Sequence, residues 1–318
     1  MDIKTLVDKD DLTKYDELLK RSQYAYIFQT IPYLSSLKVL GYGFEIVGIF
    51  ENNKLMYALP VQKKKILFIN KYFYSVPYGI ISEGGQTPKV IVDIFLNYLK
   101  KTAYIIRFSN NQKIIDKTLN YLGEQTTILI DLENPIDYIF SSFSKTHRNC
   151  SRKAKKEGVV VKIENSLEFI EIFIDLYLKL MKNKSVTAIN LNFLKDCLLN
   201  LLDNNLGFFA VAYYNDVIYN IAFITTIGKH ARYLYGASLR VDEKIPPTGQ
   251  FLHYEIIKYL KLNKFYYYDL GGIPNLPVEE NNSAYFVYKF KKGFGGTPTI
   301  LCYDYYYTKY RILKFLIR

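Results

Sequence analysis

In the stretch FVYKFKKGFGGTP, residues 286 to 298, five aromatic or basic residues run unbroken from Tyr288 to Lys292, and glycines follow at 293, 295 and 296. Lysines at a helix C-terminus complement the helix dipole, and Gly293 suits the residue that ends a helix. That account leaves Phe290, Phe294 and the later glycines without a role, and the other reading is a lysine, Lys291 among the candidates, held against a substrate. A second candidate lies in YYYDLGGI, where Asp269 closes an apolar strand and Gly271 and Gly272 allow positive φ or close approach of another backbone. An acid at such an edge can act as a general base, orient one, or simply cap a turn.

A third candidate is SKTHRNCSRKAKKEGVVV. Lys145, Arg148, Arg152 and Lys155 or Lys156 fall at helical spacing along one face, while Phe143, His147, Cys150 and Ala154 line the other, and Gly158 stops the helix. Guanidinium groups in such a stripe suit a phosphate chain through paired donors; a solvated helix face is the plainer alternative. In PPTGQFLHYEIIKYLK, Thr248 or Gly249 caps a helix whose N-terminus could face an anion, although the loop before it lacks the glycine and basic richness expected for coenzyme A. Cys150, Cys197 and Cys302 show no metal-ligand spacing to one another or to His147, His230 and His253, so a reduced, metal-free protein is expected.

These residues need elements to hold them, and the elements repeat. FEIVGIFENNKLMYALPVQ, from 44, and FFAVAYYNDVIYNIAFITT, from 208, are both β-rich runs around a polar turn. YLKKTAYIIRFS, from 98, and YLKLNKFYYYDL, from 259, are both helix ends running into strands. Their offsets, 164 and 161 residues, nearly coincide and amount to half the chain, which points to a duplicated unit of hairpin, strand, helix and strand. That order, with KHARYLYGAS as the third strand of the second copy, is the order of an acyl-transferring GNAT-type domain, in which the strands flanking the helix splay apart. Only the second copy continues into DLGG and FKKGFGG, so any chemistry belongs there.

The chain has 318 residues, 49% of them hydrophobic, enough for two ordinary domains with cores of their own. A formal net charge of +12 favours nucleic acid, nucleotide phosphates or an anionic membrane surface as partners, though an AT-rich coding bias yields similar compositions. The N-terminal MDIKTLVDKDDLTKYDELLKR has no uninterrupted apolar core, and the most apolar long stretch is broken by Asn215, Asp216 and Asn220. A cytoplasmic protein, at most peripheral at the inner face of the membrane, is expected.

YIFQTIPYL (26–34), HRNCSRKAKKEGVVV (147–161), ARYLYGAS (231–238), FYYYDLGGI (265–273) and FKKGFGG (290–296) form an ordered series that resembles the Fem family of aminoacyltransferases, relatives of GNAT enzymes that add amino acids to cell-wall precursor peptides. The resemblance implies an α/β (α+β) fold of two tandem GNAT-like domains with mixed, mainly antiparallel sheets flanked by helices. The first would span 1–140 and the second 141–302, with a C-terminal helix over about 303–318 packing back on the first. Nothing in the sequence has the heptads of the long helical arm of some members. By motif position, Phe290 and Lys291 look like the family's Phe-Lys pair at the transfer centre, where an ammonium stabilises the oxyanion formed when an amine attacks an aminoacyl ester. Arg148 or Arg152 would correspond to the arginine on the precursor's diphosphate, with Lys38 as a second phosphate contact. Tyr235 could face the acceptor or be a core tyrosine, and Gly271 and Gly272 border the substrate.

The function expected is transfer of an amino acid from aminoacyl-tRNA to an amine on a nucleotide- or lipid-linked cell-envelope precursor, with no cofactor and no covalent enzyme intermediate. Asp269, the precursor's carboxylate or the leaving 3′-oxygen could take the amine's proton. Two alternatives share the fold: an N-acyltransferase using acyl-CoA or an acyl carrier on an amino sugar of a surface polysaccharide, and a non-catalytic module that binds tRNA or an anionic lipid.

Overall fold

Both expected hairpins turn on two consecutive residues in the left-handed region, Asn52 (φ 48°) and Asn53 (φ 63°) in one and Asn215 (φ 48°) and Asp216 (φ 60°) in the other. Asn and Asp tolerate that conformation, and turns of this kind match the twist of the flanking strands. The structure, a computed structural model, describes residues 2–22, 25–66, 69–75, 78–239, 245–274 and 283–316. Two compact units divide the chain: Met1–Gln125 with Ile300–Arg318, and Thr126–Thr299.

The elements run β1 (Asp2–Thr5), α1 (Lys9–Arg21), α2 (Ile31–Ser36), β2 (Gly43–Glu51), β3 (Lys54–Ile66), β4 (Ile69–Ser75), β5 (Ile81–Ser82), α3 (Lys89–Thr102) and β6 (Ile105–Asn110). They continue with β7 (Asn120–Asp131), α4 (Ile136–Ser142), α5 (Lys145–Lys156), β8 (Val160–Glu164), α6 (Glu168–Lys184), α7 (Leu191–Asp203), β9 (Gly207–Tyr214) and β10 (Val217–Ile227). Last come β11 (His230–Ser238), α8 (Thr248–Leu262), β12 (Tyr267–Ile273), α9 (Ser283–Lys292) and β13 (Thr297–Thr308).

In the first unit the strand order is β1-β2-β3-β4-β6-β13, with β5 beside β3, and only β4 and β6 run parallel. Ile91, Phe95 and Leu99 recur along α3 at helical spacing and bury against Val47, Leu59, Val61 and Ile106 of the sheet. In the second unit the order is β8-β9-β10-β11-β12-β7, again with one parallel pair, β11 and β12. Alternation sorts its strands: Phe208, Ala210, Ala222 and Ile224 share a core with Phe251, Ile256 and Leu260 of α8, while Phe209 and Phe223 turn the other way, Phe209 toward Phe173 of α6. Each unit thus repeats hairpin, strand, helix and parallel strand, the plan legible from the two sequence offsets.

Two expectations about the organisation are corrected. The division falls at 125/126 and 299/300 rather than at 140/141 and 302/303, because residues 126 to 131 of β7 pair with β12. The expected helix over 303–318 is instead β13, in antiparallel register with β6 from Tyr303↔Asn110 to Thr308↔Ile105, then a 3-10 turn at Arg311–Leu316. The tyrosine run fits a pleated surface better than a helix. Ile317 and Arg318 lie outside the described residues.

Tyr15 on α1 is wholly buried, and its hydroxyl donates to the Gln29 carbonyl at 2.5 Å. Tyr15→Phe leaves that carbonyl without this donor, and urea unfolding should show a loss of about 1–2 kcal/mol; no change would mean that the bond contributes nothing net.

Candidate active site

The site is built where β11 and β12 stop pairing. Their parallel register covers His230↔Tyr267, Ala231↔Tyr268 and Arg232↔Asp269, and no further. Beyond that point β12 slips one residue against β7 between Asp269 and Gly272, and Gly271, at φ 83°, takes up the extra length. Only glycine adopts that φ readily, and a Cβ on it would lie 3.2 Å from both the Lys291 Nζ and the Tyr233 carbonyl.

Arg232 and Asp269 form an ion pair at this fork, both largely buried. Asp269 also accepts from the Thr127 hydroxyl and, at 2.7 Å, from the Gly271 amide. With its oxygens engaged by three donors, Asp269 positions backbone and charge at the fork. Burial pushes the Arg232 guanidinium down from its ordinary range, and Asp269 opposes the shift.

Lys291 reaches the fork from α9 and donates to the Gly272 carbonyl at 2.8 Å. Burial and, to a lesser extent, the nearby Arg232 charge lower its pKa to about 8, with Asp269 acting in the opposite sense. It is therefore mostly an ammonium at neutral pH and loses its proton as pH rises through about 8.

What aims Lys291 is the end of its helix. The Gly293, Phe294 and Gly295 amides donate to the carbonyls of Lys289, Lys291 and Lys292, while the Phe290 carbonyl bonds the His147 Nε2 at 2.9 Å. A carbonyl only accepts, so Nε2 carries the proton, and the Ser144 hydroxyl, 3.1 Å from Nδ1, donates to the other nitrogen. Burial lowers the His147 pKa, which favours this neutral form. A Cβ on Gly293 would fall 2.3 Å from the imidazole, so the glycine is the space into which His147 fits. Phe290 and Phe294 complete the support: Phe294 meets the His147 ring edge-on at 4.6 Å, and Phe290 lies 5.7 Å from His253. His253 bonds the Tyr268 hydroxyl at 2.9 Å, and burial drives its pKa to about 3, helped by the Lys291 charge.

The structure brings Lys291, Asp269, Gly271 and Gly272 together and gives the other expected residues different surroundings. The Phe290 ring faces the first turn of α8, 3.9 Å from where a Cβ on Gly249 would sit. Arg148 is turned back to cap the end of α4, donating to the Ser141 carbonyl at 2.8 Å and to that of Phe143. Arg152 is exposed, with its guanidinium 5.3 Å from the Phe140 ring centre. Tyr235 is mostly buried, and burial together with Cys197 and Tyr177 raises its pKa strongly, so it resembles the core tyrosine more than an acceptor contact. Lys38 belongs to the first unit, 6.0 Å from the Phe44 ring centre. Among the described residues, one carboxylate group, Asp8, Asp10 and Asp11, is close enough to surround a cation, but Lys4 pairs with Asp11 and Lys14 with Asp10. No described helix is long and apolar enough to cross a membrane.

Arg232, Thr127, His147 and Gly293 carry parts of the site that the sequence did not assign. A lone arginine inside the otherwise apolar and aromatic HARYLYGAS was the available signal for Arg232.

Residues 141–289 match the family described as acetyltransferase (GNAT) domain. The whole chain has the fold of FemX, with a TM-score of 0.84 over 100% of both chains at 14% identity. It is also similar in fold to L-PGS from Bacillus licheniformis, with a TM-score of 0.61 over 98% of this chain and 95% of that one, at 13% identity. A tandem GNAT protein from the clavulanic acid biosynthesis pathway matches with a TM-score of 0.52 over 96% of this chain and 98% of that one, at 9% identity. No curated protein matches the sequence significantly.

Asp269→Asn removes the negative charge from a buried ion pair. Denaturant unfolding should show a loss of about 3–5 kcal/mol; a loss under about 1 kcal/mol would mean that solvent screens the pair.

Proposed function

We propose that this protein is an aminoacyltransferase that moves an amino acid from aminoacyl-tRNA to an amine on a nucleotide- or lipid-linked cell-envelope precursor. The observation that carries this reading is Lys291, a half-buried ammonium held by the Gly272 carbonyl at the fork of β11 and β12, beside Arg232. When the acceptor amine attacks the aminoacyl ester, a C–N bond forms and negative charge gathers on the carbonyl oxygen. A fixed cation in a partly dehydrated site stabilises that charge. Collapse breaks the ester C–O bond, and the amine's proton passes to the leaving 3′-oxygen or to a carboxylate of the acceptor. The bonds Asp269 already makes favour those routes over Asp269 as the base.

The surroundings of α8 favour tRNA over coenzyme A as donor. In a GNAT site that binds coenzyme A, the first turn of this helix would be open to a pyrophosphate. Here Pro246 and Pro247 bring no N–H to the preceding loop, the Phe290 ring packs on the turn, and the Asn220 side chain donates to Thr248. The fold shared with FemX over the full length agrees with the same reading, and the net charge of +12 suits tRNA and anionic membrane surfaces. A module that only binds would have no need of a desolvated lysine aimed at a strand fork.

The test is transfer by purified protein from charged tRNA pools or short acyl-CoAs to nucleotide-linked muropeptide and amino-sugar acceptors. Transfer from tRNA should fall about 100- to 1,000-fold in Lys291→Ala. Transfer only from acyl-CoA would move the protein to the alternative donor, and full activity of Lys291→Ala would remove the lysine from the chemistry. The ammonium is lost as pH rises through about 8, so the single-turnover rate of the wild type should fall on that alkaline limb. Lys291→Arg, if it transfers at all, should lack the fall.

A further inference from the structure

At about 100° per residue, Tyr285, Tyr288, Lys289 and Lys292 share a face of α9 about a third of a turn from Lys291. That face borders a cavity of about 350 Å³, closed on the other side by Ser144, Thr146 and His147 at the start of α5 and by Gly293. The transfer chemistry uses none of this space. Among the described residues no acidic side chain lines it, and two lysines and two tyrosines do. The Lys289 Nζ stands 5.7 Å from the Tyr285 ring centre, and the Lys292 Nζ bonds the Gly296 carbonyl at 3.0 Å. The amides in the first turn of α5, a twelve-residue helix, have no partner within the helix and add positive potential at the same wall.

Cations beside aromatic faces fit a nucleotide, whose phosphate takes the charge and whose base takes the ring. The distance around α9 from Lys291 to this cavity is about 10 Å, given a helix about 10–12 Å across, within reach of a nucleotide next to the ester-bearing one. We propose that the cavity binds a nucleotide of the donor's single-stranded 3′ end, with its base against Tyr285 and Tyr288 and its phosphate between Lys289, Lys292 and the start of α5. The inference rests on the tRNA-dependent reading and adds the place where the RNA is held.

The test is fluorescence anisotropy with a 5′-labelled RNA hairpin carrying an uncharged single-stranded CCA end, against the same hairpin blunt-ended, using the full chain. Lys289→Ala and Tyr285→Ala should each weaken binding of the CCA-ended hairpin about tenfold and leave the blunt hairpin unchanged. Lys289→Arg should retain it, and Lys179→Ala, on α6 and away from the cavity, should have little effect. Thermal melts of each variant separate lost binding from lost folding. Equal binding of both hairpins, or equal weakening by Lys179→Ala and Lys289→Ala, would overturn the proposal. Lys289-dependent binding of a fluorescent UDP without any binding of the CCA end would assign the cavity to a nucleotide-linked acceptor and overturn it as well. Binding is read without transfer, so Lys289-dependent RNA binding with no transfer would contradict the proposed function and keep the cavity, whereas transfer with RNA binding indifferent to both variants would do the reverse.

Discussion

The buried pair of Arg232 and Asp269 is the constraint on which the site depends. It sits at the last paired position of two parallel strands, so the charges lie where the sheet begins to open. Dehydrating two charges is costly, and the cost is offset only where the remaining lone pairs are satisfied, as the Thr127 hydroxyl and Gly271 amide do for Asp269. The same amide bond holds the backbone that carries Gly272, whose carbonyl receives Lys291. One ion pair thus fixes the fork, the carbonyl at its edge and the field in which the lysine titrates.

The opposite side of the site is held by shape. Gly293 leaves room for the His147 ring, His147 takes the Phe290 carbonyl that the helix end leaves over, and Ser144 fixes the imidazole tautomer. None of these groups touches the fork, yet together they set the direction of the helix that carries Lys291. The glycines after the lysines therefore have different tasks: Gly293 receives a ring, and Gly295, at φ 77°, turns the chain.

The repeat was legible because its signals are local. Asn-Asn and Asn-Asp turns between β-rich runs fix hairpins wherever they occur, and two near-equal offsets reveal a duplication without any tertiary knowledge. Lys291 and the DLGG bend were legible for the same reason, a charge and glycines at positions where helix and strand rules left them unexplained. Arg232 was not, because its partner is chosen by a parallel register between segments more than thirty residues apart. Arg148 resembled a phosphate ligand in its helical stripe, but the end of α4 lies close enough to claim it. The last strand was missed because a run of tyrosine and lysine fits either an amphipathic helix or a sheet edge until the pairing strand is known.

The most direct measurement is the titration of the Lys291 side-chain amine by NMR in the wild type and in Asp269→Asn. If the fork sets the lysine's charge, the wild type titrates near 8, below the ordinary 10.5, and the variant lower still, since Asp269 is the group that raises it. A value near 10.5 in both proteins would mean that Lys291 sits in open solvent, and the account of the site would fail.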